Sequence, residues 1–190
     1  NDVFSFQTGF IDDHIAKKDY NKYLDFIQIK PEPFLIIAPY FMLKDTYSQD
    51  EIDSWLELNR KSLKKTIEVK KEKEIPYPIA AQLVLEKRLL ISNNIIESIK
   101  STYNFGDYEY IFIWIDDFNC FDSDYNYKTA FSSLISALND IGKKPIMAYG
   151  GYESIILCNN DSPYRLYGVA QSVGYGEYRP IIPVGGGLPV

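Results

Sequence analysis

Six apolar residues in a row, Tyr110-Ile111-Phe112-Ile113-Trp114-Ile115, stop abruptly at two carboxylates, Asp116-Asp117. A run this short, rich in β-branched and aromatic residues, is the pattern of a strand buried on both faces. Sheets covered on both faces are built from parallel strands joined by helices. Three more segments repeat the plan of an apolar strand running into polar or glycine-rich residues. They are Pro145-Ile146-Met147-Ala148-Tyr149-Gly150-Gly151, Gly168-Val169-Ala170-Gln171-Ser172-Val173-Gly174-Tyr175-Gly176-Glu177 and Pro180-Ile181-Ile182-Pro183-Val184-Gly185-Gly186-Gly187. Parallel α/β sheets and barrels bind ligands at the carboxyl ends of their strands. The order of residues therefore points to where a site lies before it says what the site does.

Strands are expected over residues 3–7, 34–41, 79–85, 110–115, 145–149, 168–172 and 180–184. Helical periodicity lies between them. Ile52, Trp55, Leu56, Leu63 and Ile67, with Ile75 beyond, mark one face of a long charged helix. Ser92 or Asn93 is placed to cap a helix whose apolar face is Ile95, Ile96 and Ile99. Ala130, Phe131, Leu134, Ile135, Leu138 and Ile141 form the clearest amphipathic stripe, with Gly142 as its C-terminal cap. A weaker helix is expected over residues 14–26.

Strands alternating with helices imply βαβ units. A full eight-unit barrel takes roughly 250 residues, and this chain has 190. The expected fold is therefore a partial or reduced (β/α) barrel with parallel strands, an open doubly wound α/β sheet being the alternative. Residues 1–190 are expected to form one α/β domain. The chain starts at Asn1 rather than Met, which leaves open that it is a fragment of a longer protein.

The formal net charge of −6 gives no global attraction to nucleic acid or to an anionic membrane. No apolar stretch is long enough to span a bilayer, and no signal peptide is visible. Cys120, Cys158 and His14 are the only cysteines and histidine, too few for a Cys/His zinc site. Two ordinary thiols in a reducing cytoplasm are expected. The 16 tyrosines are spread along the chain, so they read first as core and rim packing and second as the lining of a sugar or base pocket.

Asp116 and Asp117 are the first candidates for chemistry. Successive side chains on a strand face opposite ways, so one carboxylate can face a barrel mouth while the other turns to the loop. Either could act as a general base or accept hydrogen bonds from a ligand; the competing reading is a loop-start or capping Asp. Strand register decides which one points inward. Glu177 follows Gly174 and Gly176, which let backbone approach a ligand closely. It could form an acid/base couple with Asp116 or Asp117, or a salt bridge with Arg179. Tyr149, Gly150, Gly151 and Gln171 complete the candidate ligand-binding set.

Other motifs carry weaker signals. Asp122-Ser123-Asp124-Tyr125-Asn126 begins like a calcium loop, but Tyr127 stands where Gly is needed and Ser133 where the bidentate Glu is needed. A turn with helix capping is the better reading. Gly185-Gly186-Gly187 could present N–H groups to a phosphate, or be a plain turn. The basic stretch 60–73 is interleaved with Glu68 and Glu72, so it reads as a solvated helix face before it reads as a nucleic-acid surface. His14 reads as a surface or core-edge histidine.

The second half resembles the tRNA-guanine (queuine) transglycosylase family, a (β/α) barrel. In that family one strand ends in an Asp that reads the base, and Ile113-Trp114-Ile115-Asp116-Asp117 is similar. A later strand ends in a Gln followed by two glycines; Ile146-Met147-Ala148-Tyr149-Gly150-Gly151 is similar, with Tyr149 in place of the Gln. The segment from Gly168 to Glu177 looks like the family's glycine-rich strand closing in Gly-Glu. The family's zinc-binding cysteines have no counterpart here, and Val3-Phe4-Ser5-Phe6-Gln7 is a degenerate echo of its N-terminal Asp motif. What the resemblance implies is a base-binding pocket, not transglycosylation itself.

These readings converge on a barrel-type domain that binds a small polar ligand, a nucleobase or a sugar, at its strand ends. If it is an enzyme, glycosyl transfer or hydrolysis suits paired carboxylates. The alternative is a non-catalytic binding or interaction domain on the same scaffold. The sequence leaves the cofactor unknown.

Overall fold

The computed structural model describes residues 35–92, 94–118, 124–159, 161–162 and 164–170. The strands expected over 3–7 and 180–184, the helix over 14–26, and Cys120, Asp122, Gln171, Gly174, Gly176 and Glu177 lie outside the described residues.

Five parallel strands form one sheet: β1 (Ile36–Ile37), β2 (Ile79–Glu86), β3 (Tyr110–Asp116), β4 (Lys144–Ala148) and β5 (Gly168–Ala170). Their spatial order is their sequence order, β1-β2-β3-β4-β5. A doubly wound sheet reverses direction at a switch point, whereas a barrel adds each strand beside the last. The sequential order settles the choice: the sheet curls into a half-barrel, a partial α/β barrel.

The connecting helices are α1 (Gln49–Glu72), α2 (Ile95–Tyr103), α3 (Tyr125–Asp140) and the short α4 (Tyr152–Ile156). Helix α1 starts in a capping box: Ser48 Oγ accepts from Glu51 N–H and the Glu51 carboxylate accepts from Ser48 N–H. Its buried face is Ile52, Leu56, Asn59, Leu63, Thr66 and Ile67. Ile75 lies beyond the helix, where it packs with Val69 and Ile36. Asp124 caps α3 by accepting from Tyr127 N–H at 3.1 Å, which bears out the capping reading of the 122–126 motif. Gly142 terminates α3 in the left-handed conformation, φ 73°. At α2 the expectation fails: the residue before the helix is Asn94, at φ 66° and with no side-chain cap bond. Asn tolerates this backbone region better than most residues, so the turn itself sets the helix start.

The two sheet faces differ. Ile79, Ala81, Leu83 and Leu85 of β2, Ile111, Ile113 and Ile115 of β3, and Met147 of β4 join one core with Leu56, Leu63, Ile95, Ile99, Phe131, Leu134, Ile135 and Leu138 from the helices. Helices α1 to α3 thus cover one face. The other carries Ala80, Gln82, Val84 and Glu86 of β2, in register with Tyr110, Phe112, Trp114 and Asp116 of β3. On β3 these four residues are half-buried while the alternating isoleucines are buried.

Strand β1 is shorter than the 34–41 expected. After Ala38, Pro39 has no N–H to give a ladder. Helix side chains replace it: Ser62 Oγ donates to Pro39 O at 2.7 Å, and Asn59 holds both the N–H (2.6 Å) and the C=O (3.0 Å) of Phe41. Pairing resumes where Leu43 bridges Leu85.

Candidate functional site

The carboxyl ends of β2 and β3 and the chain beyond β1 and β3 place four acidic side chains together. Leu43 pairs beside Leu85, which brings Asp45 next to the end of β2. Glu86 ends β2 in register with Asp116, which ends β3, so both side chains leave the same face. Asp45 N–H donates to Glu86 Oε2 at 2.7 Å. Asp45, Glu86, Lys87, Arg88, Asp116 and Asp117 line a cleft of about 220 Å³.

Register separates the two aspartates. Asp116 continues the alternation of Tyr110, Phe112 and Trp114. Asp117 leaves the strand at φ 54°, a left-handed conformation that costs an L-residue about 1–2 kcal/mol. Its side chain is 79% exposed and lies 3.6 Å from Lys87 Nζ. Arg88 pairs with Asp45 at 3.6 Å. Two cations therefore rim the acidic group. Partial burial, with the Asp45 and Asp116 carboxylates nearby, holds Glu86 above the usual carboxylate range.

Strand β4 supplies the aromatic part. Tyr149 follows the strand at φ 56°, and its N–H donates to Ala170 O at 2.6 Å. The Tyr149 and Trp114 rings lie 4.8 Å apart, tilted by 48°. Tyr40, just after β1, is pushed up first by burial and then by the nearby Tyr149. The two glycines are needed for space rather than for φ. A Cβ on Gly150 would lie 2.6 Å from Ser154 Oγ and 2.8 Å from Met147 Cγ, and one on Gly151 would lie 2.7 Å from Glu153 Oε2. It is thus the chain's own side chains that approach these two glycines closely.

Asp116, Asp117, Tyr149, Gly150 and Gly151 accordingly all sit at strand carboxyl ends on adjacent strands. Asp45, Glu86 and Tyr40 escaped the sequence reading. Glu86 had a legible signal, a carboxylate straight after the apolar run 79–85, the same signature that marked Asp116. Asp45 had none, because only the Leu43–Leu85 bridge brings it there.

Among the described residues, no group of three or more metal-ligating side chains is arranged to hold a metal ion, and no helix is long and apolar enough to cross a membrane. The basic stretch of α1 is laced with ion pairs, Arg60 and Lys61 to Glu57 and Lys65 to Glu68, as a solvated face would be. Comparison with protein-family models, with curated proteins and with solved structures finds no match to this chain.

Proposed function

We propose that this half-barrel binds a small polar ligand, a nucleobase or a sugar, at the carboxyl ends of β2 to β4. The observation that carries the reading is the Glu86–Asp116 pair: two carboxylates in register on one face, at the mouth, with Glu86 held toward its protonated form. A carboxyl group held up beside a second carboxylate is an arrangement that acid/base chemistry uses. In this reading Glu86 is the candidate acid and Asp116 its partner carboxylate. Trp114 and Tyr149 supply a stacking wall beside them. Backbone strain at both Asp117 and Tyr149 supports the same location, because strained residues gather at ligand sites. The resemblance of the strand ends at Asp116 and Gly150 to those of the tRNA-guanine transglycosylase family favours a base in this place. Glycosyl transfer or hydrolysis is the reaction class that paired carboxylates suit.

The test is a thermal-shift screen of nucleobases, nucleosides and simple sugars against the wild type, Asp116→Asn and Glu86→Gln. A shift that Asp116→Asn removes, in a protein with an unchanged circular dichroism spectrum, supports the site. A ligand shift that survives both substitutions places binding elsewhere. Turnover of a bound glycoside by the wild type decides between an enzyme and a binding domain.

A further inference from the structure

Helix α4 follows the Tyr149-Gly150-Gly151 turn at the mouth, and it is built inside out. Its Glu153 is half-buried and its Ser154 only 1% exposed, while Ile155 and Ile156 are 52% and 59% exposed. A step of two residues turns a helix by about 200°, so the polar pair and the apolar pair lie on opposite sides. A helix at a protein surface normally turns its apolar side inward. The buried side of α4 also leaves polar groups unmet. Among the described residues, neither Glu153 Oε2 nor Ser154 Oγ has a hydrogen-bond partner, although both atoms are enclosed. A buried polar atom without a partner weakens the arrangement that encloses it, and an isoleucine left in water contributes no burial.

The segment is held at its ends. Before it, Tyr149 stands at φ 56°, a strained backbone for a tyrosine, and the helix starts without a side-chain cap. After it, Leu157 and Cys158 pack on the core, and Leu157 O accepts from Leu166 N–H at 2.9 Å. A helix of five residues is not stable by itself. The seat of α4 is the bare backbone of Gly150 and Gly151, against which the Ser154 and Glu153 side chains lie.

Resting on the binding reading above, we propose that α4 is a lid on the strand-end site, seen here in its open position. Residues 150–156 swing about the two glycines and Leu157 when a ligand enters. Ile155 and Ile156 then lie over the ligand's ring, opposite the Trp114–Tyr149 wall. Glu153 and Ser154 leave their seat and are hydrated on the outer side. A ligand closes such a lid only as far as it binds the closed form better. The ring surface covered by the two isoleucines supplies that difference.

The test uses two double variants. Glu153→Met with Ser154→Ala removes the unmet groups and so favours the open position. Ile155→Ser with Ile156→Ser removes the underside of the lid at positions that are exposed when it is open. Melting temperature and hydrogen exchange are measured for these, the wild type and Asp116→Asn, alone and with adenine, guanine, uracil, their nucleosides, ribose and glucose. Without ligand, the first double variant is expected to melt above the wild type and to exchange about fivefold more slowly over 150–158. The second is expected to melt with the wild type. Both are expected to lose most of the ligand-induced shift. A lower ligand-free melting temperature in the first double variant, or its failure to fold, overturns the lid, because Glu153 and Ser154 are then satisfied where they lie. A shift that either double variant keeps in full but Asp116→Asn loses overturns the lid and leaves the strand-end site standing. A shift that Asp116→Asn also keeps, or no wild-type shift with any of these compounds, overturns both readings.

Discussion

Glu74 ends helix α1 at φ 51°, where glycine is the usual occupant. Its N–H donates to Lys71 O at 3.3 Å and the next N–H, of Ile75, reaches back to Lys70 O at 3.0 Å. Helix α3 ends with the same pair of bonds, Gly142 to Asn139 and Lys143 to Leu138, but with glycine at φ 73°. At α1 the packing of Ile75 on Val69 and Ile36 offsets the strain that Glu74 carries. Glu74→Gly is expected to stabilise the protein by about 1 kcal/mol, read as a higher urea midpoint at unchanged slope. An unchanged or lower midpoint would show that the glutamate sits there without strain. Glu86 is a second residue whose environment opposes it. Its folded-state pKa lies above the ordinary carboxylate value, so the fold prefers the protonated form. The stability it contributes is full at acid pH and is lost as pH rises through the folded-state pKa. Glu86→Gln fixes the neutral form while still accepting from Asp45 N–H. Its melting temperature should exceed the wild type's at neutral pH, with the gap closing as pH falls below the carboxylate range. A gap that does not change with pH would disprove the assignment.

Strand β1 and the β4–α4 turn show how elements here depend on groups far away in sequence. The segment after Ala38 is held by Asn59, which is 3% exposed and binds both polar groups of Phe41. Asn59→Ala leaves two backbone groups unpaired and is expected to cost about 3 kcal/mol. Chemical denaturation measures the loss, and hydrogen exchange at the Phe41 amide should accelerate with it. Gly150→Ala meets Ser154 and Met147 below van der Waals distance and should destabilise by about 1–3 kcal/mol. The double variant Gly150→Ala with Ser154→Gly should recover much of that, which a thermal melt would show. These two elements also mark the limit of what could be read from residue order. The strands over 79–85, 110–115 and 145–149 and the helices α1 and α3 were legible, because apolar runs and 3.6-residue stripes are local. The strand over 34–41 was read too long, because Pro39 and the Asn59 clamp act across 18 positions. The candidate site was legible where a carboxylate directly follows an apolar run in view, as at Asp116. It was not at Asp45, which reaches Glu86 only through strand pairing, nor in the outward turn of Asp117, which depends on one backbone angle.

The half-barrel as a unit is strongest at its centre. Strands β2 and β3 are paired on both sides, and their helix-facing residues Leu83, Leu85, Ile111 and Ile113 are fully buried in the core they share with helices α1 to α3. Strand β5 is three residues long, pairs through β4 and is half-buried to exposed. Amides whose opening requires loss of the whole core exchange only through global unfolding, whereas a short and lightly buried strand opens by itself. Native hydrogen exchange should therefore rank peptides covering 79–86 and 110–116 as the slowest and those covering 166–170 as much faster. The ranking bears on the proposed ligand site. The carboxylates sit where β2 and β3 end, on the most buried strands, while the Tyr149 N–H donates to Ala170 O on the short, lightly buried β5. A ligand held between Glu86, Asp116 and Tyr149, as proposed, would tie the loose strand to the rigid ones. Its addition should slow exchange at 166–170 more than at 110–116, where protection is already near the global limit. Equal exchange across the sheet without ligand would contradict the graded half-barrel. Selective slowing at 110–116 alone would place the ligand on the rigid strands and away from Tyr149.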